Sequence, residues 1–378
     1  MVRMRSTQLR VPVGDFARSD ALERQLRRYC PPFQRAVRGL AARHSRLADL
    51  AQSFPALLFA LAAPRPGLDP ACAIERAIEG ASLAEVAEAA DVALWLRRLP
   101  PEAFTHRIPR LADSKPFRRQ IANHLPPRRI APIWLQAVAE MADVAHEAAA
   151  VWLAREICRK KSNVKPDRLR LIGLWAWFSG WPGTLANRVI PKPWTPDMRL
   201  GAALDAAGEW QVMIDLYANL GRGPIQDLWL QPAHVAGYDF FPLASASDIA
   251  EEAAAMKNCV RTYGDNLAHN WSRLWSMRKD GRRVATLKVA NGRGDPLPSV
   301  VELRIAENKD ASAEVSWVAR QWLHRHDLAR IDMKRRKWGT APLDRATWTA
   351  LWRPYWLAKR RIPEWLPLSP SRRMLRVL

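Results

Sequence analysis

Proline constrains this chain more than any other residue. Pro31-Pro32, Pro64-Arg65-Pro66, Pro100-Pro101 and Pro126-Pro127 punctuate a stretch from about residue 15 to 160 that is dominated by Ala, Leu, Arg and Glu. Proline lacks the N–H that a helix interior needs, and its ring clashes with the preceding turn. Each cluster therefore ends one helix and opens the next, so 1–160 reads as a succession of helices of ordinary length. Ser82 and Glu85 carry the signature of a capping box ahead of Leu83, Val86, Ala87 and Ala90, and a second apolar stretch, 93–99, follows. The pair reads as a helical hairpin in a bundle in preference to a helix-turn-helix, because the pattern is common in helical proteins.

Residues 161–245 are richer in Trp and Pro, with Trp175, Trp177, Trp181, Trp194, Trp210 and Trp229. Indole rings beside basic residues can stack bases. Most of these lie in apolar runs such as 171–177, which favours a core role.

The periodicity changes in 246–328. Asp248 and Glu251 are placed as a cap and its capping-box partner, and Ile249, Ala253, Met256, Val260 and Tyr263 recur at helical spacing. Gly264-Asp265-Asn266 ends that helix. The runs 274–277 and 284–289 then read as strands around Lys279-Asp280-Gly281-Arg282, where Asp-Gly signals a hairpin. The loop Asn291-Gly292-Arg293-Gly294-Asp295 leads to a third strand, 300–306. An amphipathic helix, 312–324, follows with Val315, Val318, Trp322 and Leu323. The expected module is α-β-β-β-α: a three-stranded antiparallel sheet with helices on one face.

Charge bears on partners. Lys and Arg number 59 against 37 Asp and Glu, a formal net of +22. Repulsion of that size costs stability unless a polyanion uses it, and phosphate backbones are the usual users. A solubility bias or an Arg-favouring composition is the plainer explanation. The segment 330–378 concentrates the charge, with 13 Lys or Arg against three acids. Trp338, Trp348, Trp352, Tyr355, Trp356 and Trp365 interleave with them. Lys334, Arg335, Arg336, Lys337, Lys359, Arg360 and Arg361 would hold phosphates, and Trp338, Trp352 and Trp356 would stack on bases if exposed. Alternatively, the rings anchor the tail while its charges stay solvated.

Several classes are disfavoured. Cys30, Cys72, Cys158 and Cys259 are scattered, without a Cys-x-x-Cys pair, so they read as single buried thiols in a reducing compartment. The first 13 residues have no apolar core of a signal peptide, and the stretch 54–63 is too short to span a bilayer. A cytoplasmic location without membrane contact is expected. No Walker A, dinucleotide fingerprint, His-Glu-x-x-His or Gly-x-Ser-x-Gly occurs. The Gly-x-Gly at 292–294 does not open a helix. Neither a metal nor a cofactor is expected. His324 and His326 are too close to share one helical face, and His269 can approach Cys259 but reads as a solvated or core residue.

Glu302 on the third strand and Glu307-Asn308-Lys309-Asp310 after it could serve a nuclease, although such acids gather often by chance. Cys259 shares a helical side with Met256 and Tyr263. A helix C-terminus does not activate a thiol, so Cys259 reads as a small buried hydrophobe. Asn258-Cys259-Val260-x-x-Tyr263 resembles the His-Cys-Val-x-x-Tyr signature of PcfJ-like proteins, a family associated with conjugative plasmids and other mobile elements. The resemblance continues through Ala285-Thr286-Leu287-Lys288-Val289, the strand bearing Glu302, the closing Asn308 and a helix that reaches Trp322. It spans about 246–326 and departs at Asn258, where the family has His. It implies a setting of mobile elements and DNA transfer.

The expected architecture is mainly α with a small α+β module: a helical region 1–160, a Trp/Pro-rich helical region 161–245, the module 246–328 and a basic tail 329–378. The leading expectation is a protein that binds DNA or RNA through phosphates with little sequence preference. The alternatives are a nuclease or transferase using Cys259, Tyr263, Thr286, Glu302 and Asn308, and a scaffold for an acidic protein. An enzyme would gather those five side chains in an accessible cleft.

Overall fold

The computed structural model describes residues 13–160, 165–291 and 297–377. The N-terminal segment read for a signal peptide, the Gly-x-Gly loop at 292–295 and the side chain of Arg376 lie outside the described residues. The chain forms two compact units, Met1–Trp177 with Thr195–Ala202, and Phe178–Trp194 with Ala203–Leu378. It is mostly helical, with an antiparallel sheet near the C-terminus. Among the described residues, no helix is long and apolar enough to cross a membrane.

The first unit is helical, and its prolines act as the sequence suggests. Pro31 and Pro55 occupy the first turns of helices Pro31–Ala41 and Pro55–Ala62, where a missing N–H costs nothing. Ser82 and Glu85 form the full capping box of helix Leu83–Ala89. The stretch after it makes a 3₁₀ turn, Leu94–Arg98, so no second helix of a helix-turn-helix follows. A buried carboxylate, Glu156, ties segment 195–202 to helix Glu147–Lys160: its Oε2 accepts from Leu200 N at 2.9 Å and from Arg159 Nη2 at 2.8 Å. Trp152 Nε1 donates to Met198 O at 2.8 Å beside it.

The sheet of the second unit has five strands, not three: β1 (Ala233–Val235), β2 (Tyr238–Pro242), β3 (Arg273–Lys279), β4 (Arg282–Asn291) and β5 (Pro298–Arg304), in spatial order β1-β2-β3-β4-β5 and antiparallel throughout. The two extra strands come from the Trp/Pro-rich region. Their hairpin turns on Ala236 and Gly237, both at positive φ, the two-residue geometry that matches strand twist. Asp280 and Gly281 make the same turn between β3 and β4, as the sequence suggests.

Helices cover both faces of the sheet, which corrects the one-sided expectation. On one face Trp275, Met277, Ala285, Leu287 and Val289 pack against Val315, Val318 and Trp322 of helix Ala313–His324. Trp322 lies parallel to Phe240, with ring centroids 4.5 Å apart. On the other face Leu274 meets Ile249 and Ala253 of helix Ala246–Met256. Apart from Phe241 on β2, that face carries mainly polar side chains, Ser276, Thr286, Lys288, Glu302 and Arg304, so the helix there must supply polar partners.

The tail is an aromatic anchor over most of its length. Along helix Arg345–Lys359, Trp348, Leu351, Trp352, Tyr355 and Trp356 are all buried. Trp352 lies 6.1 Å from Trp210 and 5.9 Å from Phe178 between ring centroids. Trp356 Nε1 donates to Leu366 O at 3.0 Å. Trp352 and Trp356 therefore cannot stack on bases, contrary to the expectation from composition. In the preceding region Trp175, Trp177 and Trp210 are core residues, whereas Trp181 is exposed.

Trp322→Ala should lower stability by about 3–5 kcal/mol, because a fully buried ring of this size leaves a cavity that cannot collapse. Urea unfolding of the two proteins checks this.

Candidate functional site

The five side chains singled out for chemistry meet on the polar face of the sheet. Ser245 and Asp248, not Asp248 and Glu251, cap helix Ala246–Met256, with hydrogen bonds of 3.1 and 2.9 Å. Lys257 takes a left-handed conformation and ends that helix. The chain turns, and Cys259 starts a 3₁₀ turn, Val260–Tyr263, that runs into a short helix, Gly264–Ala268. Cys259 is therefore not a continuation of the helical stripe, and its thiol is exposed. None of the four cysteines is buried: Cys72 is exposed like Cys259, and Cys30 and Cys158 are half-buried.

Cys259 Sγ lies 3.9 Å from Asn308 Oδ1. Asn308 and Glu307 both have positive φ, a conformation that asparagine tolerates better than most residues and glutamate less well. Tyr263 OH donates to Glu302 Oε2 at 2.6 Å, and Lys288 Nζ sits 3.9 Å from the Tyr263 ring centroid. Burial, then the hydrogen bond and charge of Glu302, hold the Tyr263 hydroxyl well above its ordinary range. It is a proton-holding donor at neutral pH and not a phenolate. Asn258, Cys259, Tyr263, Thr286, Glu302 and Asn308 line one cleft whose free space is about 10 Å³, room for about one water.

Beneath the cleft lies a network that the sequence reading missed. Glu252 is fully buried. Its carboxylate accepts from Arg283 Nε at 2.9 Å and from Thr286 Oγ1 at 2.8 Å. Asn258 Nδ2 donates to Thr286 Oγ1 at 2.9 Å, and Asn258 Oδ1 accepts from Val260 N at 3.4 Å. The residue that departs from the PcfJ-like signature thus links the buried carboxylate to the turn bearing Cys259. A signal was present: Glu252 falls on the same helical stripe as Ile249, Ala253 and Met256.

The basic segment of the tail has its own geometry. Residues 334–338 are five consecutive exposed residues, four of them cations. Lys334 pairs with Asp332, an exposed contact at 3.2 Å. Among the described residues no carboxylate pairs with Arg335, Arg336 or Lys337. The segment lies on the turn before β3. Arg336 N donates to His269 O at 2.9 Å, Trp271 Nε1 to Arg336 O at 2.8 Å and Asn270 Nδ2 to Lys334 O at 3.1 Å. His269 is fully buried, with Nδ1 2.7 Å from Asp265 O and Nε2 accepting from Gly339 N at 2.8 Å. It is a core residue and makes no contact with Cys259. Trp338 is exposed, as the stacking expectation requires, and so are Arg360 and Arg361, whereas Lys359 is half-buried.

A separate cavity of about 200 Å³ is lined by Asp215, Asn219, Arg261, Thr262, Asp265 and Arg372, among others. Arg372 Nη1 donates to Asp265 Oδ1 at 2.5 Å and to Asn219 Oδ1 at 3.1 Å. Asp215 Oδ1 is buried without a hydrogen-bond partner. Burial, reinforced by the Asp265 charge, raises the Asp215 carboxyl from 3.8 to about 7. Among the described residues, no three His, Cys, Asp or Glu side chains are gathered as a metal site needs.

No protein-family model matches the chain, and neither a curated protein nor a solved structure does.

Thr286→Val should destabilise the protein by roughly 1–3 kcal/mol, because it leaves both the Glu252 carboxylate and the Asn258 amide short of a buried partner. Chemical denaturation at neutral pH reads that loss. The folded Asp215 carboxyl keeps its proton to a higher pH than the unfolded one, so the folded state binds more protons between about pH 4 and 7. This group's contribution therefore falls as pH rises through that window, by about 4 kcal/mol at most. Asp215→Asn should flatten that part of the stability–pH profile, as thermal melts at a series of pH values will report.

Proposed function

We propose that the protein associates with nucleic acid, holding the phosphate backbone with little sequence preference. The observation that carries this reading is the run of exposed cations at 334–337, fixed on an ordered turn, in a chain of net charge +22. Arg335, Arg336 and Lys337, without carboxylate partners among the described residues, keep their field outside the protein, and phosphates that displace counterions are the natural ligand. Arg360, also exposed, adds a further cation to the tail's surface. Phosphate contact needs only this charge and is blind to base identity, which is why backbone contact is the expected mode. The setting, a mobile or conjugative element and a cytoplasmic location, rests on the resemblance of 246–326 to PcfJ-like proteins and on the cysteine usage.

A second reading is favoured by one specific observation: Cys259, Tyr263, Thr286, Glu302 and Asn308 line a single cleft. In a nuclease or transferase, Cys259 would be the exposed nucleophile. Asn308 would orient it, and the Tyr263–Glu302 pair would supply a proton donor.

The first reading is tested by anisotropy titration of labelled single- and double-stranded DNA and RNA across a salt series. Binding should weaken steeply with salt. Replacing Lys334, Arg335, Arg336 and Lys337 by Gln should reduce the single-strand salt slope by about 3, at roughly 0.7 per phosphate contact. If no nucleic acid binds even at low salt, an acidic protein partner or the cleft's own chemistry takes its place.

A further inference from the structure

The exposed cations at 334–337 do not stand alone. Trp338 follows them at 47% exposure, and Trp271 faces it at 37%. Their ring centroids are 5.5 Å apart at an interplanar angle of 69°. Exposing two indoles side by side forgoes the burial that most of this chain's tryptophans achieve, and rings of this kind on a surface mark contact with a partner.

The rings are also held still. One face of Trp338 lies on the His269 imidazole, at 5.1 Å and 16°, so the opposite face is the one it can offer. Trp271 is held by its Nε1 bond to Arg336 O. The turn beneath is secured by Arg273, itself buried, whose Nη2 donates to Asn270 Oδ1 at 2.9 Å. The Arg335 guanidinium stands 5.9 Å from the Trp271 ring centroid. These are two exposed rings on an ordered support, with the Arg335 cation over the Trp271 ring.

We infer that Trp271 and Trp338 form a stacking platform for unpaired bases, so that the protein prefers single-stranded to double-stranded nucleic acid. The inference rests on the nucleic-acid reading above and adds the substrate class. Duplex bases are already stacked on one another and hide their faces, whereas every base of a single strand can present its face to an indole. Stacking does not depend on base identity, which fits a platform without hydrogen-bonding groups aimed at base edges. Arg335, Arg336 and Lys337 would take the phosphates flanking the stacked base.

The test uses the full chain and oligonucleotides of one length: single-stranded dT, single-stranded U and a mixed-sequence duplex. Trp338→Ala and Trp271→Ala should each weaken single-strand binding by roughly tenfold, with under a twofold change for the duplex and an unchanged salt slope. Trp338→Phe should retain most of the affinity, because it keeps a ring face. Circular dichroism and melting curves of each variant guard against a folding defect, and Phe replaces Ala at Trp271 if that variant unfolds. The dT and U arms separate DNA from RNA as the strand bound. The inference is overturned if the Trp variants lose single-strand and duplex affinity equally, or lose neither while the chain still binds nucleic acid with a steep salt dependence. In that case the phosphate reading stands alone. If the unaltered protein binds none of the three at low salt, the reading and the inference fall together.

Discussion

A carboxylate withdrawn from water governs the C-terminal unit. Glu252 lies where hydration is gone, and a charge left unpaired there would cost several kcal/mol. Its two partners, Arg283 and Thr286, both lie on β4. Helix Ala246–Met256 therefore has one productive position along the sheet, since a shift of one residue would strand the charge. Thr286 receives Asn258 as well, so the chain beyond the helix is tied to the same strand. Cys259 lies between the anchored Asn258 and the buried Val260 and has only the mouth of the cleft left to it. Desolvation offsets much of the attraction within such a network, whereas removing one partner is costly.

The aromatic residues divide along a different line. Positions 348, 351, 352, 355 and 356 repeat with the period of a helix and form one continuous apolar stripe. Burial follows from that spacing, because a helix with such a stripe must cover it. Trp338 and Trp271 belong to no such repeat. They sit where the backbone turns, between residues that offer no apolar stripe to join, and the rings are left on the surface. Residue type alone does not separate these roles, whereas periodicity does.

The same distinction explains what could be read in advance. The Ser82–Glu85 capping box, the Asp280-Gly281 hairpin and the helix behind Ser312 follow from local rules that involve only a few neighbouring residues. The convergence of Cys259, Tyr263, Glu302 and Asn308 was suggested by a family resemblance, and the register of β4 with β5 supplies its physical cause: Lys288 is opposite Glu302, and Thr286 is opposite Arg304. The hairpin of β1 and β2 carries little sequence signal, because its turn uses Ala236 at positive φ where Asn or Asp is usual, and its strands are only three and five residues long. The stacking role expected of Trp352 and Trp356 arose from composition, although their helical spacing already argued for the core. The role of Glu252 is not legible in the sequence, because an acid on an apolar stripe has no partner visible there: Arg283 and Thr286 are 31 and 34 residues away.

His269 connects the core to the charged surface. Its Nδ1 is within hydrogen-bond reach of the Asp265 carbonyl, which can only accept, and its Nε2 accepts from Gly339 N–H and Ala341 N–H. Only the neutral imidazole with its proton on Nδ1 satisfies all three. A polybasic arm in solution would pay conformational entropy to bind, losing backbone freedom at each ordered residue. Here that cost is met during folding, because residues on both sides of the cations are already bonded to the turn that bears His269. The side chains at 335–337 are exposed and, among the described residues, without carboxylate partners, so tethering the backbone leaves their field intact. A rigid backbone with free charges suits a ligand whose own charges recur at fixed intervals, as those of a phosphate chain do.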